Sequence, residues 1–193
     1  MEVVKKMKNS KKNKIIIVGR SGTGKSFRAL ELALKKKGTT IICNGSTDKK
    51  RYEGSFPCLK EYADKDSHYS FTVEKDGKYY ICAKDYKSTA AEFVNALILG
   101  CSYGNIGHDK NATVVYDDSA WVASKNNILT LWQLSHADCN IIITADSLSE
   151  ILKIKPSELS EKDSLSKILK IKPSELSEKM IEDICTYWDI IHL

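Results

Sequence analysis

Between residues 19 and 26 the chain reads Gly19-Arg20-Ser21-Gly22-Thr23-Gly24-Lys25-Ser26. The internal glycines let the backbone turn tightly with no Cβ in the way. A lysine and a hydroxyl follow, groups that hold phosphate oxygens and a hard divalent cation. Such a loop can grip a phosphate only if its successive N–H groups converge at the positive end of a helix. The flanks meet that condition. Ile15 to Val18 is an apolar, β-branched run of strand type, and Phe27 to Lys36 reads as helix. The alternative is a glycine turn between a strand and a helix that binds nothing, and the lysine and hydroxyl at the helix start weigh against it. The stretch therefore predicts a loop for a nucleoside triphosphate, with residues 19–26 around ATP. Lys25 is expected to reach the β- and γ-phosphates as a catalytic cation, and the Ser26 hydroxyl to ligate Mg²⁺.

A cation held by one hydroxyl needs an acid beside it. Ala112-Thr113-Val114-Val115-Tyr116-Asp117-Asp118 offers two at the end of an apolar strand. Asp117 is expected to hold Mg²⁺ through water at the strand's carboxyl end, and Asp118 to orient or deprotonate the attacking water. Two acids after a strand also serve as a helix cap or a turn, and it is the glycine loop that favours catalysis here. Asn140 to Asp146 is a further buried strand with a polar tip. Other elements must position these groups. Thr39 to Cys43 reads as a strand, with Gly38 before it as the C-cap of the preceding helix. Tyr69 to Glu74 and Lys78 to Ala83 flank Lys75-Asp76-Gly77, which predicts a β-hairpin over 69–83. Ser88 to Leu99 is a capped helix. Trp121 to His136 is amphipathic, with Ile128, Leu129, Leu131, Trp132 and Leu134 on its core stripe, and Thr186 to Leu193 is the last core strand.

These motifs resemble the HerA–FtsK group of P-loop ATPases, most closely the virus genome-packaging branch, with the filamentous-phage Zot-like proteins as neighbours. The resemblance covers about residues 13–150. It rests on Gly19 to Ser26, on Val114-Val115-Tyr116-Asp117-Asp118, and on His136-Ala-Asp-Cys-Asn-Ile-Ile-Ile-Thr-Ala-Asp146-Ser-Leu-Ser149. It implies a three-layer α/β fold of the additional-strand class, mainly parallel, with core strands in the order 5-1-4-3-2. The hairpin would be inserted into it. It also implies that the fourth strand lies between the loop strand and the acidic strand, which brings Asp146 to the γ-phosphate as a third catalytic residue. Two positions depart from the family. Asp146 stands where a neutral sensor amide is usual, and Ser135 where an arginine usually precedes the residue equivalent to His136. A trans-acting arginine is worth about 10³–10⁵ in rate. Arg51 is a weak candidate to replace it, since a solvated basic loop explains it as well.

The 193 residues suffice for one α/β domain, expected over 14–193 behind a basic flexible arm over 1–13. Net charge is +5, and the arm with Lys5, Lys6, Lys8, Lys11, Lys12 and Lys14 carries about all of the excess. It reads either as a solvated tail or as an arm on the phosphates of double-stranded DNA. Only Arg20, Arg28 and Arg51 supply guanidinium groups. Six scattered cysteines without metal spacing, no signal peptide and no apolar run near the ~20 residues of a membrane span predict a cytoplasmic protein. If it is viral, that means the host cytoplasm or the virion. Residues 146–162 and 163–179 are a tandem duplication that differs only at Glu150 and Lys167. It reads as a lengthened surface excursion and is assigned no chemistry. The expected function is an ATP-driven motor that translocates or packages double-stranded DNA as a homo-oligomeric ring, with a capsid or assembly protein as a further partner. A non-motor ATP-binding assembly factor or switch, Zot-like, is one alternative. A small-molecule or nucleotide kinase is another, though no arginine-rich lid is visible.

Overall fold

The computed structural model describes residues 13–44, 58–61, 75–82, 94, 98, 106–117, 127–148, 151 and 178–193. Among these, seven strands form one sheet: β1 (Lys14–Val18), β2 (Thr40–Asn44), β3 (Lys60–Glu61), β4 (Lys78–Cys82), β5 (Thr113–Asp117), β6 (Asn140–Ala145) and β7 (Trp188–His192). Their order is β3-β4-β2-β5-β6-β1-β7, and each neighbouring pair is parallel. With β3 and β4 set aside, this is the expected core order 5-1-4-3-2. β2, β5 and β6 bury every residue. Apolar runs with no polar face do so when helices cover a parallel sheet on both sides.

Alternation along the strands sorts the core into two halves. Ile16, Ile41, Val114, Tyr116, Ile141 and Ile143 share one face, and Ile17, Ile42, Val115 and Ile142 share the other. Helix α1 (Lys25–Leu34) covers the second face through Ala29, Leu30 and Ala33. Helices α2 (Asn127–Ser135) and α3 (Glu178–Tyr187) cover the first through Leu131, Leu134 and Ile184. Val94 and Ile98, both helical and one turn apart, join that side of the core. The rest of the helix expected at 88–99 lies outside the described residues. The architecture is α/β, with helices on both faces of a parallel sheet.

Several local expectations are corrected. β4 is not the second arm of an inserted hairpin. It runs parallel to β2 over its whole length, and β3 takes its other edge at Tyr79 and Tyr80. The Lys78 ammonium explains the docking, since it donates to the Gly38 carbonyl and, at 2.9 Å, to the Thr40 hydroxyl. The Asp-Gly turn thus feeds β4 into the main sheet, and residues 69–74 lie outside the described residues. Gly38 does not cap the first helix. α1 ends at Leu34 with Lys35 as its cap, and Gly38, at φ 93°, turns the chain into β2 against Asn111. Thr186 and Tyr187 belong to α3, which passes into β7 with no residue between them. The Asn13 amide donates to the carbonyls of Asp138 (2.8 Å) and Cys139 (3.0 Å), so Asn13 is part of the fold.

Candidate functional site

β1 leaves the sheet at Val18, and the next residues form a closed turn. Gly19 N–H donates to the Ala145 carbonyl at the tip of β6 (3.3 Å), and the Arg20 carbonyl accepts from Thr23 N–H (3.2 Å) and the Thr23 hydroxyl (2.9 Å). Gly22 and Gly24 have φ of 84° and 88°. A Cβ on either would touch nothing, so backbone conformation rather than crowding calls for glycine. Gly24 is the N-cap of α1, and its carbonyl accepts the first helical bond from Arg28 N–H (2.9 Å). No side chain caps this helix. Its positive end therefore faces the turn.

Lys25, the first residue of α1, folds back over the turn. Its ammonium donates to the carbonyls of Gly19 (2.6 Å) and Arg20 (3.0 Å) and to Asp146 Oδ1 (2.7 Å). Asp146 is the first residue beyond β6. Ser26 follows Lys25 in the first helical turn, half-buried. The sheet brings the predicted lysine, hydroxyl and third acid to one edge.

Asp117 closes β5 at the same edge, two strands from β1, or about 10 Å at ordinary strand spacing. Its side chain is fully buried, and the Thr144 hydroxyl donates to Oδ1 at 2.8 Å. On its other side Asp117 is in register with Asn44, the buried last residue of β2. Thr144 and Asn44 were not singled out in the sequence. Their signal was the same in both cases, a polar residue that closes a run of apolar ones at the carboxyl end of a strand. Asp118 and Arg51 lie outside the described residues, as do residues 1–12 and most of the duplication.

Ser135 sits at the opposite end of the molecule's core. It is buried, donates to the Leu131 carbonyl (2.9 Å) and accepts from Trp188 Nε1 (2.9 Å), where β7 begins. A side chain at 135 therefore packs inside the chain, away from the glycine turn. Lys14, counted with the basic arm, is also interior. It is 1% exposed, and its ammonium donates to Asn13 Oδ1 and to the Ala137 carbonyl, both at 2.7 Å. Burial lowers its pKa to about 8. It is not available to a phosphate backbone. Among the described residues no three His, Cys, Asp or Glu side chains are grouped to hold a metal ion. A cation between Ser26 and Asp117 would take its remaining oxygens from water and phosphate, as Mg²⁺ commonly does. No described helix is long and apolar enough to cross a membrane. No family model matches the sequence, no curated protein matches it, and no solved structure matches the fold.

Proposed function

We propose that this chain is a P-loop ATPase of the additional-strand class that works as a DNA-translocating motor of the genome-packaging kind. One observation carries the reading: the tip of β6 reaches both halves of the site, Thr144 bonding Asp117 and Asp146 bonding Lys25. A central strand that touches the loop and the acid at once would hold the two halves of a site for phosphoanhydride hydrolysis at a fixed spacing. Lys25 would take the β- and γ-phosphate oxygens, the N–H groups of residues 19–24 and of the α1 terminus would wrap the phosphates, and Ser26, with Asp117 acting through water, would hold Mg²⁺. When bound, Mg²⁺ neutralises charge that develops on the phosphate oxygens. Thr144 fixes the Asp117 carboxyl, and Asp118, next in the chain, orients the attacking water.

The motor reading adds double-stranded DNA, drawn to the lysines ahead of Asn13, and a ring of identical subunits. ATP turnover with and without double-stranded DNA tests it, together with DNA affinity against salt. DNA should stimulate turnover severalfold. Removal of residues 1–12 should make the slope of log affinity against log salt shallower by several units, at about 0.9 per phosphate contact. If ATP binds while DNA neither binds in a salt-sensitive way nor stimulates turnover, the motor is wrong. The second reading then stands, a non-motor ATP-binding switch or assembly factor. The two departures from the family, an acid at Asp146 and no arginine at Ser135, are what favour that reading.

A further inference from the structure

An ammonium has three protons. Those of Lys25 meet three acceptors, the carbonyls of Gly19 and Arg20 and the Asp146 carboxylate, all within 3.0 Å. A phosphate oxygen that reaches Lys25 must therefore displace one of them. The two carbonyls are parts of the turn itself. Gly19 is tied to β6 through its N–H, and the Arg20 carbonyl also closes the turn with Thr23. Neither moves unless the loop opens. Asp146 is different: its side chain is 64% exposed, whereas that of Lys25 is 12% exposed. Of the three acceptors, its carboxylate is the side-chain group and the one that already faces water. Once displaced, that carboxylate still stands near the incoming phosphate charge and repels it.

We propose that Asp146 is a latch on Lys25, whose hold on the phosphate-gripping lysine must be released before a triphosphate is bound. The proposal rests on the nucleotide reading of the glycine turn. It gives this position a role opposite to that of a neutral sensor, which would only add a contact to the phosphate. Loading is thereby made slower and weaker than the loop alone would permit. Any partner that draws Asp146 away from Lys25 then acts as a loading factor.

Two measurements on wild type and Asp146→Asn test it. The first needs no nucleotide: acylation of the Lys25 amine by a water-soluble amine-reactive ester, read by peptide mapping. Release of the latch should raise the Lys25 labelling rate severalfold in Asp146→Asn, with other mapped lysines unchanged. The second is the affinity for Mg²⁺–ATP, which should tighten about two- to tenfold, as expected for loss of a half-exposed ion pair together with one repulsive charge. Asp146→Ser, which also removes the charge, should behave alike and guards against a folding defect peculiar to one variant. Unchanged Lys25 labelling overturns the latch whatever the nucleotide result. Faster labelling with equal or weaker ATP affinity also overturns it, while leaving the phosphate loop intact. Faster labelling with ATP bound by neither wild type nor variant overturns the nucleotide reading, and the latch with it, though the ion pair remains.

Discussion

Asp117 is fully removed from water, and the Thr144 hydroxyl is bonded to it at 2.8 Å. A buried carboxyl that loses a donor is left with part of its desolvation uncompensated, typically about 1–3 kcal/mol. Thr144→Val, similar in shape but lacking the hydroxyl, should therefore lower stability to urea by about that amount, and Thr144→Ser should restore most of it. If the carboxyl also orients Mg²⁺, Thr144→Val should weaken ATP binding in the presence of Mg²⁺ and leave Mg²⁺-free binding alone. Asp117→Asn should show the same selectivity more strongly, and Lys25→Ala should abolish binding under both conditions. A fluorescent ATP analogue titrated with and without Mg²⁺ reads all three variants. Undiminished binding by Lys25→Ala would sink the phosphate-loop assignment. The individual residues of the loop were legible in the sequence because they are contiguous. The partners of Lys25 and Asp117 were harder to read: Asp146 was expected there only through the family resemblance and Thr144 not at all, because both lie at the end of β6, more than a hundred residues after the loop.

At the scale of elements, the junction of β1, α2 and α3 is built around a buried amine. The Lys14 ammonium lies 5.9 Å from the centre of the Tyr187 ring, and Tyr187 in turn stacks edge-on with His136. His136 and Trp132 of the α2 end both reach the Asp183 carboxylate of α3, at 3.3 and 3.0 Å. Burial lowers the Lys14 pKa from 10.5 to about 8, and burial raises that of neighbouring Cys139 from 9.0 to about 11. Between pH 8 and 10.5 the unfolded chain binds a proton at Lys14 that the folded chain lacks. Raising the pH through that window therefore favours the folded state, by at most about 1.4 kcal/mol per pH unit. Cys139 acts with the opposite sign from pH 9 upward, because the folded thiol keeps a proton that the unfolded one sheds. Stability to urea should thus rise between about pH 8 and 9 and then level off, and Lys14→Met should flatten the rise. A stability that falls from pH 8 to 9 in wild type would contradict the burial of the amine. The strands at this scale were legible as β-branched runs such as Ile141-Ile142-Ile143. β4 was misread because Lys75-Asp76-Gly77 between alternating runs is locally a hairpin. Its choice of β2 as partner depends on Lys78 meeting Gly38 and Thr40, which no local pattern reveals. Lys14 was misread for a related reason, since a lysine beside five others looks like a tail until a strand pulls it inside.

For the whole molecule, the duplication bears on how β6 is joined to β7. α3 begins with Glu178 and Lys179, the last two residues of the second copy, so the copy's end is structural. Deleting residues 163–179 places Glu161 and Lys162 ahead of Met180 and rebuilds the same start to the helix. Shortening the connection by 17 residues changes its closure entropy little, since even halving a loop is worth only about 0.6 kcal/mol. The deletion should shift urea stability by about half a kcal/mol and leave ATP affinity within twofold. A thermal midpoint lower by many degrees would show instead that the second copy fills part of the core.

β1 lies between β6 and β7, and its last carbonyl, that of Val18, accepts from Leu193 N–H at 2.9 Å. The first strand of the chain is therefore flanked by the last two. As the chain is made, residues 25–34 can form their helix before either neighbour of β1 exists, whereas the glycine turn is braced by Ala145 and, through Val18, by Leu193. Pairings this distant in sequence close late and slowly. The turn therefore rests on contacts from residues more than a hundred positions away, and any ligand that binds only the closed turn would stabilise the whole sheet by mass action.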